Sequence, residues 1–110
     1  MEVECKTAQE ALDLLRYCLE EGVVVPGAHF RTELANEGLY LEDAWIVLRS
    51  GAIYSPPELD MRTGEWKWKI EGKEPGGLWL CIVFSFKSVN RAFLITVYSV
   101  KKIGRGQKRK

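Results

Sequence analysis

Two kinds of hydrophobic spacing divide this chain near residue 52. Before that point apolar residues recur every three or four positions, which is the spacing of helices that bury one face. After it they alternate with polar residues or run continuously, as they do in half-buried and fully buried strands. The pattern predicts an α+β domain in which three N-terminal helices pack on a C-terminal antiparallel sheet of four strands.

The helices are predicted from their start and stop signals. The first begins after Thr7, which forms a capping-box pattern with Glu10, and it ends before Gly22. The second and third are predicted over residues 28–37 and 41–50. Residues 23–27 between the first two helices are predicted as an extended link and a turn.

Four strands are predicted, over residues 52–55, 65–71, 78–86 and 92–100. The last two are apolar on both faces and are therefore predicted at the centre of the sheet. In the second, Trp66, Trp68 and Ile70 alternate with charged residues, which predicts one face in the core and one facing water or a ligand. Residues 58–64 are polar and are predicted as a turn.

Length and composition favour one domain, because the chain has 110 residues and 46% of them are hydrophobic. The domain is predicted over residues 1–103, followed by a basic flexible tail at residues 104–110. Three widely spaced cysteines fit neither a disulfide framework nor a zinc pattern. The start of the sequence lacks a secretion signal, and no apolar run approaches the roughly 20 residues of a membrane span. These features predict a cytoplasmic protein without a metal, cofactor or membrane partner; its oligomeric state is left open.

Charge is distributed unevenly along the chain. Residues 1–61 contain 12 acidic and 4 basic residues, whereas residues 62–110 contain 3 acidic and 12 basic residues. Such asymmetry indicates that the C-terminal half faces a polyanion or an acidic partner. The alternative is a solvated terminus, because six of the basic residues are among the last ten.

A series of short motifs between His29 and Lys101 resembles the bacterial and archaeal family described as domain of unknown function 4258. The motifs are His29 at a helix start, Gly38 to Asp43, Leu48 to Gly51, Lys69 to Gly72, and Leu94 to Tyr98. That family is in turn similar to the RelE-like ribonuclease toxins, which include the motility quorum-sensing regulator toxin. The resemblance implies a RelE-like fold, metal-free cleavage of RNA and a cognate antitoxin as partner. The acidic helical half departs from many such toxins, which are basic throughout.

Metal-free RNA cleavage needs a base, an acid and cations around one phosphate. His29, the only histidine, and Glu33, one helical turn later, are predicted to act with Lys69 and Tyr98. Lys69 and Tyr98 are chosen because they lie in the motifs that match the family. The alternative for His29 is a structural residue that holds the preceding turn.

The predicted RNA-binding residues are basic side chains of the second strand and of the C-terminus: Lys67, Lys101, Lys102 and Arg105. A row of alternating charges on a strand is also typical of a solvated face with cross-strand pairs. Two other functions therefore stay open. One is a non-catalytic module that binds RNA or protein. The other is an antitoxin or immunity-type inhibitor that presents the acidic helices to a basic partner.

Overall fold

The computed structural model describes residue 5 and residues 7–100. The helices are α1 (Ala8–Glu21), α2 (Ala28–Asn36) and α3 (Leu41–Ser50). The strands are β1 (Val23–Pro26), β2 (Glu58–Leu59), β3 (Trp66–Lys73), β4 (Trp79–Ser88) and β5 (Arg91–Ser99). The predicted tail at 104–110 lies outside the described residues.

The fold is α+β with three helices, as predicted, but the sheet is larger than predicted and mixed. Its strand order is β1-β5-β4-β3-β2. β1 pairs with β5 in parallel, and the other neighbouring strands are antiparallel. The valine run at residues 23–25, predicted as a link, therefore becomes an edge strand opposite residues 91–93 of β5. Its first N–H, that of Val23, donates to the carbonyl of Asn90, the residue before β5, at 2.8 Å.

The second difference lies between α3 and β3. The predicted strand at 52–55 is reduced to a single bridge between Ala52 and Glu71, and the predicted turn at 58–64 contains the short strand β2. Pro56 and Pro57 explain the shift because proline has no N–H to donate to a neighbouring strand. Ladder pairing is interrupted there and resumes at Glu58, opposite Lys67.

The first helix begins as predicted. The Thr7 hydroxyl accepts a hydrogen bond from the Glu10 N–H (3.1 Å), and the Thr7 N–H donates to the Glu10 carboxylate (3.0 Å). At the start of α3 the Tyr40 N–H donates to Asp43 at 2.8 Å. Asp43 therefore stabilises the start of a helix, where an anion is also favoured by the helix dipole.

All three helices bury their apolar side chains against one face of the sheet, which we call the covered face. Large members of this core include Leu15 of α1, Phe30 of α2, Leu48 of α3 and Trp68 of β3. The strands β4 and β5 contribute the alternating residues Leu80, Ile82, Phe84, Ala92, Leu94 and Val97. The central position predicted for these two strands is thereby confirmed.

The end of α3 approaches β3 so closely that Gly51 has no room for a side chain and Gly72 has little. A Cβ atom on Gly51 would lie 2.5 Å from the Glu71 carbonyl oxygen, and one on Gly72 would lie 3.1 Å from the Gly51 Cα. Arg16 of α1 also donates to the Gly51 carbonyl, at 3.0 Å. This contact fixes where the chain leaves α3, and it directs residues 52–58 along the edge of β3.

The opposite side of the sheet, which we call the open face, carries the charged and polar residues of the same strands. From β3 these are Lys67, Lys69, Glu71 and Lys73; across from them lie Trp79, Cys81, Val83, Ser85 and Lys87 of β4, and Thr96 and Tyr98 of β5. The alternation predicted for residues 65–71 is confirmed for Trp68 and Ile70, which are buried. Trp66, predicted in the core, is 39% exposed because it lies at the end of β3.

Candidate functional site

A bulge in β5 decides which face Tyr98 occupies. Phe84 of β4 pairs with Leu94, but the preceding residue Val83 pairs with Thr96, so Ile95 is an extra residue. In a strand without the bulge, Tyr98 would share the covered face with Leu94, because alternate residues share a face. The extra residue reverses the alternation, and Tyr98 lies on the open face opposite Cys81. Bulges of this kind often reorient side chains beside functional sites.

Tyr98 lines a cleft at one end of the open face. The cleft has a volume of about 410 Å³ and is lined by Ser55, Pro56, Pro57, Glu58, Lys69, Glu71, Tyr98 and Val100. Its floor and one wall come from β3 and β5, and its other wall is the segment before β2. Since ligand sites are usually concave with a few convergent polar groups, this cleft is the candidate site.

The wall formed by residues 55–58 is held at both ends. At one end Ala52 exchanges two hydrogen bonds of 2.9 Å with Glu71, and at the other Glu58 pairs with Lys67. Between these points the chain has more residues than β3 offers opposite it, and two of them are prolines. The segment therefore stands off from β3, and the cleft opens at Lys69.

Lys69 and Glu58 form an ion pair across the cleft. The Lys69 Nζ lies 3.5 Å from the Glu58 Oε2, and the two side chains are 33% and 66% exposed. An ion pair that is this exposed is weak and exchanges readily with a ligand. The cleft thus presents a cation and a carboxylate side by side, both accessible to solvent.

Glu71 supplies a second carboxylate, and this one is buried. The residue is 6% exposed, and its Oε1 accepts a hydrogen bond of 3.0 Å from the Trp79 Nε1–H. Trp79 was predicted to be buried; it is half-buried on the open face, where its indole N–H orients this carboxylate. Glu71 therefore has a fixed position at the floor of the cleft.

Tyr98 is held in its neutral form. A side-chain hydrogen bond with Cys81, together with partial burial and the charges of Cys81, Glu71 and Glu58, raises the pKa of Tyr98 to about 12. All these effects disfavour the phenolate, so the hydroxyl keeps its proton at neutral pH. Tyr98 can donate a hydrogen bond or a proton in the cleft, but it cannot serve there as a base.

Two other lysines of the open face, Lys67 and Lys87, also lie beside carboxylates. Lys67 is 3.7 Å from Asp60, and Lys87 is 2.7 Å from Glu65. The pKa of Asp60 is lowered, first by the hydrogen bond from the Arg62 N–H and also by the charge of Lys67. The open face is consequently a surface of paired charges rather than a uniformly cationic platform. Over residue 5 and residues 7–100 the sequence has 9 basic and 13 acidic residues.

The four residues predicted to act together are divided by the fold. Lys69 and Tyr98 both line the cleft, whereas none of its lining residues comes from α2, which carries His29 and Glu33. α2 packs on β5 from the covered face, whereas Lys69 lies on the open face of β3, two strands away in the sheet. His29 is exposed and Glu33 is half-buried on that helix.

The sequence reasoning missed Glu58 and Glu71 as residues of the site. Glu71 lies in the motif from Lys69 to Gly72, but it was considered only as a member of the alternating charged row that also contains Glu65. Glu58 was assigned to a turn, although the preceding Pro56 and Pro57 signalled an interrupted edge. The predicted RNA-binding residues Lys101, Lys102 and Arg105 lie outside the described residues. Val100, the last described residue, lines the cleft.

Within the described part of the chain, no three histidine, cysteine or acidic side chains are grouped closely enough to hold a metal ion. No helix in residues 7–100 has the length and apolar character needed to cross a membrane.

Cys18 and Cys81, predicted to be buried, are each 1% exposed. Burial, and then the charge of Cys5, raises the pKa of Cys18, so this thiol is not an activated nucleophile.

Comparison of the chain with family models, with curated proteins and with solved structures finds no match.

Proposed function

We propose that this protein is a small endoribonuclease of the RelE-like toxin class that cleaves RNA without a metal, with its active site in the cleft of the open face. The observation that carries the proposal is the presence of Glu58, Lys69 and Tyr98 around one cleft. A carboxylate, a cation and a neutral hydroxyl are the base, the charge stabiliser and the acid that the reaction requires.

Glu58 is assigned as the general base. Its carboxylate is exposed and lies beside Lys69, so a ribose 2′-hydroxyl placed between them can lose its proton to Glu58. The 2′-oxygen then attacks the adjacent phosphorus. An exposed carboxylate is a weak base, and the positioning of the reacting groups has to supply much of the acceleration.

Lys69 is assigned to the phosphate. As the 2′-oxygen attacks, negative charge accumulates on the non-bridging phosphate oxygens, and an ammonium group within hydrogen-bond reach stabilises it. The Glu58 carboxylate lies 3.5 Å from the Lys69 Nζ, where a phosphate would bind. Binding of a phosphate therefore exchanges one partner of Lys69 for another, which makes RNA affinity depend on salt.

Tyr98 is assigned as the general acid. The bond between phosphorus and the 5′-oxygen breaks, and the Tyr98 hydroxyl gives its proton to that oxygen. The products are a 2′,3′-cyclic phosphate and a 5′-hydroxyl. The pKa of Tyr98, raised to about 12, keeps the proton available at neutral pH, and transfer to a more basic alkoxide is downhill.

The direct test uses the purified full-length chain and a 5′-labelled RNA. We expect fragments that end in a 2′,3′-cyclic phosphate, and strongly reduced cleavage for Glu58→Gln, Lys69→Ala and Tyr98→Phe. Lys87→Ala is the matched control, because Lys87 is an open-face lysine outside the cleft that is also paired with a carboxylate. Intact RNA, or equal cleavage by all these variants, would contradict the proposal.

The toxin assignment is tested in cells. Expression of the chain without a partner should arrest bacterial growth and fragment cellular RNA, and expression of Tyr98→Phe to the same soluble level should not. His29→Ala tests whether His29, which was predicted to act with Lys69 and Tyr98, takes part in the reaction. Growth arrest should persist in this variant if the cleft residues act without His29. Normal growth with abundant soluble wild-type protein would contradict the toxin assignment.

A second function, a non-catalytic binding module or an inhibitor of a basic partner, is favoured by a different observation. The described residues include 13 acidic and only 9 basic residues, and Glu20, Glu21 and Glu42 of the helices are exposed. An acidic body is typical of a protein that binds a cationic partner. If growth is unaffected and a co-expressed basic protein is bound through these helices, the inhibitor function holds and the ribonuclease fails.

A further inference from the structure

We propose that RNA leaves the cleft along β3 with its 3′ end toward Lys73, and that Lys73 binds a phosphate downstream of the scissile bond. This inference rests on the proposed function, since the direction of the strand follows from the roles assigned to Glu58, Lys69 and Tyr98. Lys73 is the last residue of β3 and is not among the residues that line the cleft. It therefore forms a binding site of its own on the open face.

Lys73 differs from the other lysines of the open face in its electrostatic partners. Lys67, Lys69 and Lys87 lie 3.7, 3.5 and 2.7 Å from a carboxylate oxygen. Lys73 forms no ion pair with residue 5 or with residues 7–100, and it is exposed. An exposed ammonium group without a carboxylate partner binds a phosphate without first losing another contact.

The carboxylate of Glu74, the next residue in the sequence, is used within its own turn. Its two oxygens accept hydrogen bonds of 2.8 Å from the N–H groups of Gly76 and Leu78, and the residue is 7% exposed. Charge-assisted hydrogen bonds of this kind hold a carboxylate firmly. The cation of Lys73 therefore remains open to a ligand although an acidic residue follows it.

The order of the assigned groups along β3 gives the direction of the strand. Glu58 pairs with Lys67 near the start of β3, and its carboxylate lies beside Lys69. Tyr98 lies across β4 from Glu71, since both pair with the same residue of that strand. The base, the phosphate-binding cation and the acid thus follow one another from the start of β3 toward its end.

This order orients the RNA because the two reacting oxygens belong to different nucleotides. The 2′-hydroxyl that loses its proton to Glu58 belongs to the nucleotide on the 5′ side of the scissile phosphate. The 5′-oxygen that receives a proton from Tyr98 belongs to the nucleotide on the 3′ side. The strand therefore runs from 5′ to 3′ toward Lys73, and the phosphates that reach Lys73 are downstream of the cleaved bond.

The surface between Lys69 and Lys73 suits a nucleoside. The two lysines are four residues apart on the same face of β3, about 13 Å at the usual rise per residue. Adjacent phosphates of an extended strand are closer together than this, so a nucleoside lies between the two cations. Glu71, between the lysines, disfavours a phosphate at that level, whereas Trp79, opposite Lys73, offers a half-buried aromatic surface. Aromatic side chains beside cations are typical of grooves that bind single strands.

The phosphate contact is tested with a labelled DNA tetranucleotide, which lacks the 2′-hydroxyl and is not cleaved by this mechanism. Fluorescence anisotropy gives its affinity for the full-length chain at several salt concentrations. Lys73→Ala should weaken binding about two- to fivefold at low salt, as the loss of an exposed ion pair does. It should also reduce the slope of log affinity against log salt by about 0.7, the value for one phosphate of a single strand.

Two further variants control this measurement. Lys73→Arg keeps the charge and should retain both the affinity and the slope. Lys87→Ala removes an open-face lysine that is already paired with Glu65, and it should change neither. An unchanged salt slope in Lys73→Ala, or an equal reduction in Lys87→Ala, would overturn the assignment of Lys73.

The direction of the strand is tested with two DNA tetranucleotides of equal charge that each contain one ribonucleotide. A ribonucleotide at the 5′ end leaves two phosphates downstream of the scissile bond, and a ribonucleotide in the third position leaves none. We expect Lys73→Ala to lower kcat/KM about two- to fivefold for the first substrate and to leave the second unchanged. Equal losses on both substrates, or a loss confined to the second, would overturn the direction.

The outcomes separate this inference from the proposed function. If wild-type protein leaves RNA intact but Lys73→Ala still reduces the salt slope, the ribonuclease and the strand direction are removed and the phosphate site stands. If RNA is cleaved and the slope is unaffected, the ribonuclease stands and the Lys73 site is removed. A reduced slope together with a loss confined to the substrate with downstream phosphates supports both.

Discussion

The covered face and the open face of the sheet are made by alternating residues of the same strands, yet different forces hold them. On the covered face Trp68, Ile82 and Phe84 are at most 2% exposed and pack against three helices. On the open face Lys67, Lys69 and Lys87 lie in exposed ion pairs, and the Trp79 indole donates a hydrogen bond to Glu71. Burial of apolar area stabilises far more than such pairs do. The fold should therefore depend on the first face, while the second is free to carry chemistry.

The bulge at Ile95 is the place where this separation is most easily broken. Insertion of one alanine between Thr96 and Val97 would reverse the alternation beyond that point, so Tyr98 would point into the core and Val97 would point into the cleft. We expect loss of cooperative unfolding or a loss of more than about 4 kcal/mol, because the Tyr98 hydroxyl would be buried without its partner and Val97 would leave the core. Urea unfolding followed by circular dichroism measures this. Ile95→Val, which keeps the residue count, should cost about 0.5–1.5 kcal/mol at most; equal stability of the insertion variant would refute the register argument.

The same bulge shows how far the sequence could predict the structure. Hydrophobic period was sufficient for the three helices, for the central position of β4 and β5, and for the side of β3 on which Lys69 lies. It could not reveal an extra residue inside the run from Leu94 to Tyr98, because every residue there is compatible with a strand on either face. The placement of Tyr98 therefore depends on a tertiary pairing that no local signal encodes.

The edge strands β1 and β2 also could not be predicted from the sequence, for a related reason. The valines of β1 form a strand only because β5 accepts them, and β2 is two residues long because the prolines before it prevent earlier pairing. Glu58 gains a role only through that placement, 3.5 Å from Lys69. Candidate sites that depend on cross-strand neighbours are set by topology, which sequence patterns constrain weakly.

The next largest expected effect on stability distinguishes two neighbouring residues of β3, Trp68 and Lys67. Trp68→Ala should lower the free energy of unfolding by about 3–5 kcal/mol, because it removes a large side chain that is 2% exposed and leaves a cavity. Lys67→Ala, one residue earlier on the open face, should change it by less than about 1 kcal/mol. Both values come from urea midpoints at constant slope. Similar losses for the two variants would mean that the open face is as important to stability as the core.

The junction between α3 and β3 tests how the covered face positions the open one. Gly51→Ala should cost about 1–3 kcal/mol, since its Cβ would lie 2.5 Å from the Glu71 carbonyl oxygen. Ser50→Ala, at the exposed end of the same helix, should change stability by no more than about 0.5 kcal/mol. Thermal unfolding of the two variants gives the comparison. An unchanged Gly51→Ala protein would show that α3 can move away from β3 without cost.

The protonation of Tyr98 provides a smaller effect with a defined pH window. The folded-state pKa is raised to about 12 from an ordinary value of 10.0, so the fold favours the neutral phenol. This contribution is fully present below pH 10 and is lost as the pH rises toward 12. Because the ring is 41% exposed and screened by solvent, we expect a change on the order of 1 kcal/mol. Wild type should lose stability relative to Tyr98→Phe across that window; parallel pH profiles would contradict the assignment.

The smallest expected effect on stability is the coupling between Lys69 and Glu58. A double-mutant cycle of Lys69→Ala and Glu58→Ala should give about 0.2–1 kcal/mol, because the pair is 3.5 Å apart and largely exposed. The coupling should decrease further at high salt, as surface pairs are screened. The same Lys69→Ala variant should nevertheless lose RNA cleavage by a factor on the order of 10²–10³, since a cation that stabilises transition-state charge is removed. A large coupling energy with unchanged cleavage would reverse the interpretation, and would make this pair part of the scaffold rather than of the site.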